Sequence, residues 1–255
     1  MSEETAPPEV EKLWNQITKL EDERRFDGEP YPEDMAPFPD RLTGRTFFPG
    51  GDGLWRDDAS LTSLKGPSTS PFPVGGIMFL ANDWGTLRGF ESIRRKGYSS
   101  MSTWRNLKQR LTAAGICGKV GFYTNAYLGI RTKKNAIDSL DWSDDKKFRE
   151  FCGEFLRFQL ETMRPCLLVV LGQSAKEMVC LTLTEIPELA AWKSRKLSSL
   201  GAEESIRVVE WRGRKLVVHV TSHPYSDIKK DEAAKAAEAE RAERLKQAWE
   251  TAKSR

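Results

Sequence analysis

The chain has 255 residues, of which 40 are Lys or Arg and 37 are Asp or Glu, so its formal net charge is +3. This length suits one α/β domain with appendages, or at most two small domains, and 39% apolar residues are enough for one core. No run approaches the roughly 18 apolar residues of a membrane span, so we expect no membrane contact. The acidic N-terminus lacks the apolar stretch of a secretory signal, which favours a cytoplasmic protein.

The charge is distributed unevenly along the chain. Residues 1–40 contain four basic and twelve acidic side chains, a net charge of −8, so residues 41–255 carry +11. A basic body favours a polyanionic partner such as DNA, although an enzyme that acts on nucleotides shows the same asymmetry.

Metal-binding patterns are missing from the sequence. The cysteines and histidines are Cys117, Cys152, Cys166, Cys180, His219 and His223. No two cysteines form a C-x-x-C pair, and no acidic ligand lies near the histidines, so we expect neither a zinc ribbon nor another metal site.

The N-terminal region, residues 1–73, consists of an amphipathic helix followed by an irregular arm. Apolar residues recur at helical spacing from Val10 to Leu20, which predicts a helix over residues 8–25 that docks on the body. Residues 26–73 are rich in Pro, Gly and Asp and show neither helical nor strand periodicity, so we expect a wrapping arm.

The body, residues 74–230, alternates buried strands with helices. Its predicted elements are a strand at 76–81, a helix at 102–114, a strand at 120–126, a helix at 144–163, a strand at 166–172, a helix from Ser174 and two strands within 205–222. Continuous apolar strands alternating with helices predict a parallel sheet covered on both faces. The Ala/Glu/Lys/Arg-rich tail, residues 231–255, predicts a solvated helix whose edge at Leu245 and Trp249 is able to dock.

Polar pairs follow the predicted parallel strands. These pairs are Asn82-Asp83, Thr124-Asn125, Gln173-Ser174 and Ser222-His223. Since the carboxyl ends of parallel strands meet at one edge, where ligands bind, we expect these side chains to converge. A carboxylate, an amide and an imidazole together can contact a nucleobase edge and the charge on a sugar. Each of these residues also has a purely structural interpretation. Asp83 is typical of a helix N-cap, Asn125 is typical of a turn, and His223 is typical of a strand end that bonds to the backbone.

Other common catalytic motifs do not fit. Residues 172–176 read G-Q-S-A-K and lack the final glycine of a nucleophile elbow. Neither a dinucleotide-binding G-x-G-x-x-G after a strand nor a P-loop occurs.

Five segments in the same order resemble motifs of the uracil-DNA glycosylase superfamily, over residues 75–228. Residues 81–86 read A-N-D-W-G-T where the best-known branch has G-Q-D-P-Y-H, so that only Asp83 is identical. Residues 124–131, T-N-A-Y-L-G-I-R, match L-N-A-x-L-x-x-R closely. Residues 171–175, L-G-Q-S-A, resemble W-G-x-x-A, and residues 223–226, H-P-Y-S, resemble H-P-S-P. Residues 102–107, S-T-W-R-N-L, resemble the phosphate-contacting S-x-x-N-L segment.

The resemblance implies a fold and an activity. The expected fold is an α/β three-layer sandwich with a central, mainly parallel four-stranded sheet. The expected activity is that of a monofunctional DNA glycosylase, a monomer that extrudes a pyrimidine from DNA and hydrolyses its N-glycosidic bond. The cysteine spacing does not match the branches with an iron–sulfur cluster, so we expect no cofactor.

The resemblance also assigns roles to individual residues. Asp83 and His223 are the expected catalytic pair. Asp83 would stabilise the cationic sugar and orient the attacking water, and His223 would stabilise the departing base. The expected base contacts are Asn82, Asn125, Gly85 and an aromatic side chain, either Phe90 or Trp84. The expected nucleic-acid contacts are Ser102, Arg131, Lys133, Ser174 and Ile228, of which Ile228 would wedge into the vacated stack.

Gly85 is the main departure from the best-known branch. A tyrosine at this position closes the pocket over C5 of the pyrimidine in that branch, so Gly85 favours a base with a C5 substituent. Two alternatives stay open: a family member that binds nucleic acid without cleaving it, and a hydrolase of free nucleotides.

Overall fold

The structure is a computed structural model that describes residues 8–23, 31–37, 73–96, 102–132, 145–224 and 232–254. The helices within these residues are α1 (Pro8–Glu23), α2 (Leu87–Lys96), α3 (Ser102–Ala113), α4 (Lys146–Met163), α5 (Gln173–Thr182), α6 (Pro187–Lys193) and α7 (Glu232–Lys253). The strands are β1 (Met35–Ala36), β2 (Ile77–Ala81), β3 (Gly121–Asn125), β4 (Ile130–Arg131), β5 (Leu167–Leu171), β6 (Ile206–Trp211) and β7 (Arg214–Thr221).

The central sheet is mainly parallel and has five strands in the order β3-β2-β5-β7-β6. The first four strands are parallel, and β6 runs antiparallel to β7 at the edge. The sheet thus has one strand more than the four that the resemblance implies, and the same five that the apolar runs of the sequence predict. The extra strand arises because Arg212 and Gly213 both adopt positive φ, of 51° and 71°, in a tight turn that folds β6 back onto β7.

Helices cover the sheet in two groups. Every residue of β2, β3 and β5 is buried, which requires cover on both faces. One group consists of α1, α4, α5 and α6, each packed on the next, and in the other α3 packs on α7, which lies on β7 and β5. This arrangement is consistent with a three-layer α/β sandwich. In the part of the chain described here, no helix combines the length and apolarity needed to cross a bilayer.

Local sequence signals explain the ends of α4. Its N-cap Asp145 accepts a hydrogen bond from the Phe148 backbone N–H at 2.9 Å, and Arg164 ends the helix in the left-handed conformation. The sequence-based prediction of a helix at 144–163 is therefore confirmed to within two residues at its start. The predicted helices at 8–25 and 102–114 are confirmed as α1 and α3, except that residues 24 and 25 lie outside the described residues.

The C-terminal helix α7 is docked along one edge and largely exposed on its other faces, as the sequence predicts. Leu245 is fully buried, as expected for a docking edge, but Ala242, Ala248 and Ala252 are buried beside it. These small side chains let the helix backbone approach β7 and α3 closely. An alanine stripe buries little apolar area per residue, so it produces only a weak hydrophobic pattern in the sequence.

Part of the N-terminal arm lies against the edge of the candidate site. Strand β1 pairs antiparallel with β4, so that Met35 is opposite Arg131. Gly129 has a φ of 95°, and a Cβ there would lie 2.8 Å from the Ala36 carbonyl oxygen and from the Tyr31 ring. The close approach of the arm therefore depends on glycine at this position.

Candidate active site at the strand ends

Four parallel strands end in one row and bring the predicted polar pairs together. Ala81 of β2 lies opposite Asn125 of β3, and Leu171 of β5 lies opposite Thr221 of β7. Asn82 and Asp83 therefore follow one strand, beside Asn125 at the end of the next. Gly172 and the loop that carries His223 follow the other two. The expected convergence is thus present for one member of each of three pairs, Asp83, Asn125 and His223. Thr124 instead bonds to Gln159, and Gln173 and Ser222 line a neighbouring cavity.

Asp83 is held by three neighbours. Its Oδ1 accepts a hydrogen bond from the Gly85 backbone N–H at 2.6 Å and lies 3.2 Å from Nη2 of Arg131. Its Oδ2 accepts from Nδ2 of Asn82 at 3.1 Å. The Asp83 side chain is only 6% exposed, so the Arg131 charge is a strong partner for the carboxylate. The result is a negative charge held in one orientation at the strand ends.

Arg131 has a role that the sequence did not reveal. Its backbone N–H donates to the Gly85 carbonyl at 2.8 Å, while its guanidinium lies against Asp83. One residue therefore fixes both the turn after β2 and the carboxylate within it. The phosphate contact expected of Arg131 is a separate role and stays a prediction.

Asn125 and Asn82 complete the turn around Asp83. The buried Asn125 amide, oriented to satisfy its neighbours, donates to the Asp83 carbonyl at 3.0 Å and accepts from Nε1 of Trp84 at 2.9 Å. Asn125 is 1% exposed and its amide already closes this turn, so the base contact expected of it stays a prediction. Oδ1 of Asn82 is buried with no hydrogen-bond partner in the described part of the chain. This oxygen is an acceptor available to a substrate or a water.

His223 is a neutral imidazole packed against glycine. A Cβ built at Gly172, where φ is 104°, would lie 3.4 Å from Cβ of His223. Burial lowers the pKa of His223 to about 4; the Asp83 charge opposes this shift and the Arg110 charge adds to it. The ring is thus neutral near pH 7 and can donate a hydrogen bond from one nitrogen.

Helix α3 anchors the loop that carries His223. Nη1 of Arg110 donates to the Ser222 carbonyl at 3.0 Å, and Nδ2 of Asn106 donates to the Pro224 carbonyl at 2.7 Å. Arg110 also makes a two-bond contact with Glu238 of α7, at 2.5 and 3.1 Å. The sequence analysis did not identify these anchors. Arg110 lies three residues after Leu107 on the apolar face of α3, which is the signal that marks it as a buried charge.

The expected base-stacking residues belong to the core. Phe90 is 3% exposed and Trp84 is 5% exposed. Gly85 has a φ of 76°, which favours glycine, and a Cβ built there meets nothing within 4 Å. Two explanations of Gly85 are therefore compatible with its surroundings. Glycine is required either by the positive φ of the turn or by a pocket that stays open for a C5 substituent.

The remaining predicted nucleic-acid contacts are spread around this edge. Ser102 is the first residue of α3 and Ser174 is the second residue of α5, and both are partly exposed. Lys133 and Ile228 lie outside the described residues. Within the described ranges, no group of three or more His, Cys, Asp or Glu side chains is placed to hold a metal ion.

Comparisons of the chain with protein families and with curated proteins found no match. No protein-family model matches the chain, and no curated protein matches it at a significant level. The resemblance to the uracil-DNA glycosylase superfamily therefore rests on the sequence motifs alone and stays a prediction.

Proposed function

We propose that the protein is a monofunctional DNA glycosylase. It hydrolyses the N-glycosidic bond of a flipped pyrimidine, either uracil or a C5-modified base, and leaves an abasic site. The observation that carries this proposal is the pairing of two unlike groups at one sheet edge: the Asp83 carboxylate, held by Arg131, and the neutral His223 imidazole.

Asp83 acts on the sugar side of the bond. As the bond breaks, positive charge builds on the sugar, and a fixed carboxylate stabilises that charge with little reorganisation. The same carboxylate orients the water that attacks C1′. The unpartnered Oδ1 of Asn82, next to Asp83, supplies a second acceptor for this water.

His223 acts on the base side. The departing base takes the bonding electrons and becomes an anion. A neutral imidazole with a pKa of about 4 donates a hydrogen bond to this anion over the whole neutral pH range. Gly172 and the Arg110 and Asn106 anchors hold the loop in place for that contact.

Access to the base requires extrusion from the duplex or a single-stranded substrate. The charge of +11 over residues 41–255 supports binding to a phosphate backbone. The open space beside Gly85 supports a pocket that accepts a C5 substituent.

The test is a panel of oligonucleotides, duplex and single-stranded, each with a different pyrimidine at one position. The full chain is incubated with each and scored for alkali-labile sites, with the Asp83→Asn protein as the control. We expect strand breaks at one or more of the modified positions with the wild-type protein and none with the control.

Two results would overturn the proposal. DNA binding without abasic sites at any tested base would make the protein a non-catalytic binder. Base release from free nucleosides or nucleotides, but not from oligonucleotides, would make it a nucleotide hydrolase.

A further inference from the structure

A second concave region borders the candidate active site. It is a cavity of about 870 Å³ between the start of α5, residues 193–200, the end of β7 and helix α7. Ser222, which directly precedes His223, and Gln173, which directly follows Gly172, both line it. This volume is typical of sites for small molecules.

Three residues that line the cavity each have a buried polar atom without a partner. These atoms are Nε2 of His219, Oγ of Ser222 and Nε of Arg244, none of which bonds to any described residue. His219 is only 1% exposed, so its free nitrogen is not explained by contact with bulk solvent. Buried polar groups are nearly always hydrogen-bonded, and three unsatisfied atoms in one cavity point to a ligand.

The protonation of His219 defines what the ligand must offer. Nδ1 lies 3.2 Å from the Ser205 carbonyl oxygen, which can only accept, so Nδ1 carries the proton. Burial lowers the pKa of His219 to about 4, and the nearby charges of Arg110 and Arg244 act in the same direction. Nε2 is therefore an acceptor that needs a hydroxyl or N–H donor, while Nε of Arg244 is a donor that needs an acceptor.

The charge of the lining favours an anion. Five basic side chains line the cavity against two acidic ones, Glu177 and Glu240. The basic side chains are Lys193, Arg195, Lys196, Arg241 and Arg244. Three of the five already pair with carboxylates: Arg195 with Glu204, Arg241 with Glu238 and Arg244 with Glu240. The two lysines of the lining have no carboxylate partner among the described residues and supply the unpaired positive charge. A ligand that combines a hydroxyl donor with a negative group satisfies both the unpartnered atoms and this charge.

The wall formed by residues 192–200 is held in place before any ligand arrives. Buried Lys176 donates to the carbonyls of Trp192, at 2.6 Å, and of Arg195. Arg195 makes a two-bond contact with Glu204, and Oε1 of Gln173 accepts from the Leu197 N–H at 2.7 Å. A cavity shaped by such bonds loses little entropy when it binds a ligand.

We propose that this cavity binds a phosphorylated sugar. Arg244, Arg241 and Lys196 contact the phosphate, and a sugar hydroxyl donates to Nε2 of His219 and bonds to Oγ of Ser222. The phosphorylated sugar is either a free small molecule or the 5′-terminal nucleotide of a nucleic-acid strand. This site uses neither Asp83 nor Asn125, so it goes beyond the proposed glycosylase activity.

The test is isothermal titration of the full chain with four probes: ribose 5-phosphate, ribose, inorganic phosphate and a short 5′-phosphorylated oligonucleotide. We expect ribose 5-phosphate to bind at least tenfold more tightly than ribose or phosphate alone, because only it supplies both chemistries. The 5′-phosphorylated oligonucleotide is also compared with its unphosphorylated form. If the phosphorylated form binds more tightly, and the variants below lose this preference, the ligand is a strand end. Equal affinity for ribose 5-phosphate and phosphate would overturn the proposal.

Two substitutions locate the binding. Ser222→Ala removes a hydroxyl that has no partner in the described residues, so the fold is kept, and Arg244→Gln removes one charge. We expect each substitution to weaken the affinity for ribose 5-phosphate at least fivefold. The control is Lys215→Gln, at an exposed lysine at the other end of β7, which should leave this affinity unchanged. Asp83→Asn should also bind as the wild type does, which separates this site from the proposed catalytic one. Wild-type affinity in both test variants, or equal loss in Asp83→Asn, would overturn the assignment.

Discussion

The two regions that meet at the end of β7 differ in how fully their polar groups satisfy one another. Around Asp83, the carboxylate, the Arg131 guanidinium and the Asn125 amide bond to one another and to the turn after β2. Around His219, three buried polar atoms have no partner in the described chain. The first region fixes its carboxylate without a ligand and leaves Oδ1 of Asn82 unpartnered, whereas the second leaves three atoms unpartnered around one cavity.

Helix α7 contributes to both regions. Glu238 holds Arg110, which holds the loop before His223, while Arg241 and Arg244 one and two turns later line the cavity. Because the same helix serves both regions, the side chains that it contributes make the regions differ, and not the helix itself. Substitutions can then separate the proposed catalytic edge from the proposed ligand site.

The largest expected effect is that of Asp83→Asn. An amide keeps the shape of the side chain but lacks the charge that faces the cationic sugar. We expect the single-turnover excision rate to fall about 10³-fold, the upper end for one preorganised group. Gel-shift affinity for the same oligonucleotide should be unchanged. An excision rate within a factor of ten of the wild type would remove Asp83 from its catalytic role.

His223→Ala should lower the excision rate about 10²-fold, because the leaving base loses one hydrogen-bond donor. Its pKa of about 4 also predicts that protonation of His223 does not limit the rate between pH 6 and 8. Single-turnover rates across that pH range measure both effects. If the variant binds DNA less tightly but cleaves at the normal rate, His223 has a structural role only.

Glu238→Gln should destabilise the fold by about 1.5–3 kcal/mol, because Arg110, with a side chain 1% exposed, loses its charged partner. Urea denaturation measures this loss. The control is Glu250→Gln on the same helix, whose exposed pair with Lys253 should be worth less than about 1 kcal/mol. Equal losses in the two variants would show that the Arg110 anchor is unimportant.

Substitutions at Gly85 distinguish a role in the base pocket from a role in the backbone turn. Its φ of 76° predicts that Gly85→Ala and Gly85→Tyr both lose about 1–2 kcal/mol of stability. Beyond that common loss, we expect Gly85→Tyr to abolish excision of C5-substituted pyrimidines and to spare unsubstituted uracil if that base is a substrate. Equal loss on small and bulky bases, with thermal melts alongside, would contradict the pocket assignment.

The last expected effect is on the pH dependence of stability. His219 and His223 have folded-state pKa values of about 4, below the usual 6.5. The unfolded chain therefore binds more protons below pH 6.5, so the free energy of unfolding is highest above pH 6.5 and falls toward pH 4. Each histidine contributes at most about 1.4 kcal/mol per pH unit. Urea denaturation at pH 7 and 5 tests this, and an unchanged free energy would contradict the burial of both rings.

Local patterns in the sequence predicted much of the fold. The helices α1, α3 and α4 follow from apolar residues at helical spacing, and the buried strands follow from continuous apolar runs. The docking edge of α7 was predicted at Leu245 and Trp249, but the alanine stripe beside it was not, because alanines give little hydrophobic contrast. Helices α2 and α6 were also missed. Helix α6 has only seven residues, and its stability comes from packing and from Lys176 rather than from its own pattern.

The candidate site was predictable in position but not in its bonding. The strand-end rule brought Asp83, Asn125 and His223 to one edge, because their positions follow directly from the strands. The pairing of Arg131 with Asp83 and of Arg110 with Glu238 joins residues distant in sequence, so no local spacing encodes it. The cavity depends on a wall, residues 192–200, whose sequence carries no motif.

The central claim is that water, directed by Asp83, replaces the base at C1′ of a DNA nucleotide. It is tested most directly by incubating the wild-type protein with a modified-base oligonucleotide in heavy-oxygen water and weighing the products by mass spectrometry under conditions that suppress sugar exchange. The account predicts an intact strand that has lost one base and gained one heavy oxygen, together with the released free base. A strand of unchanged mass after binding every base in the panel would contradict it.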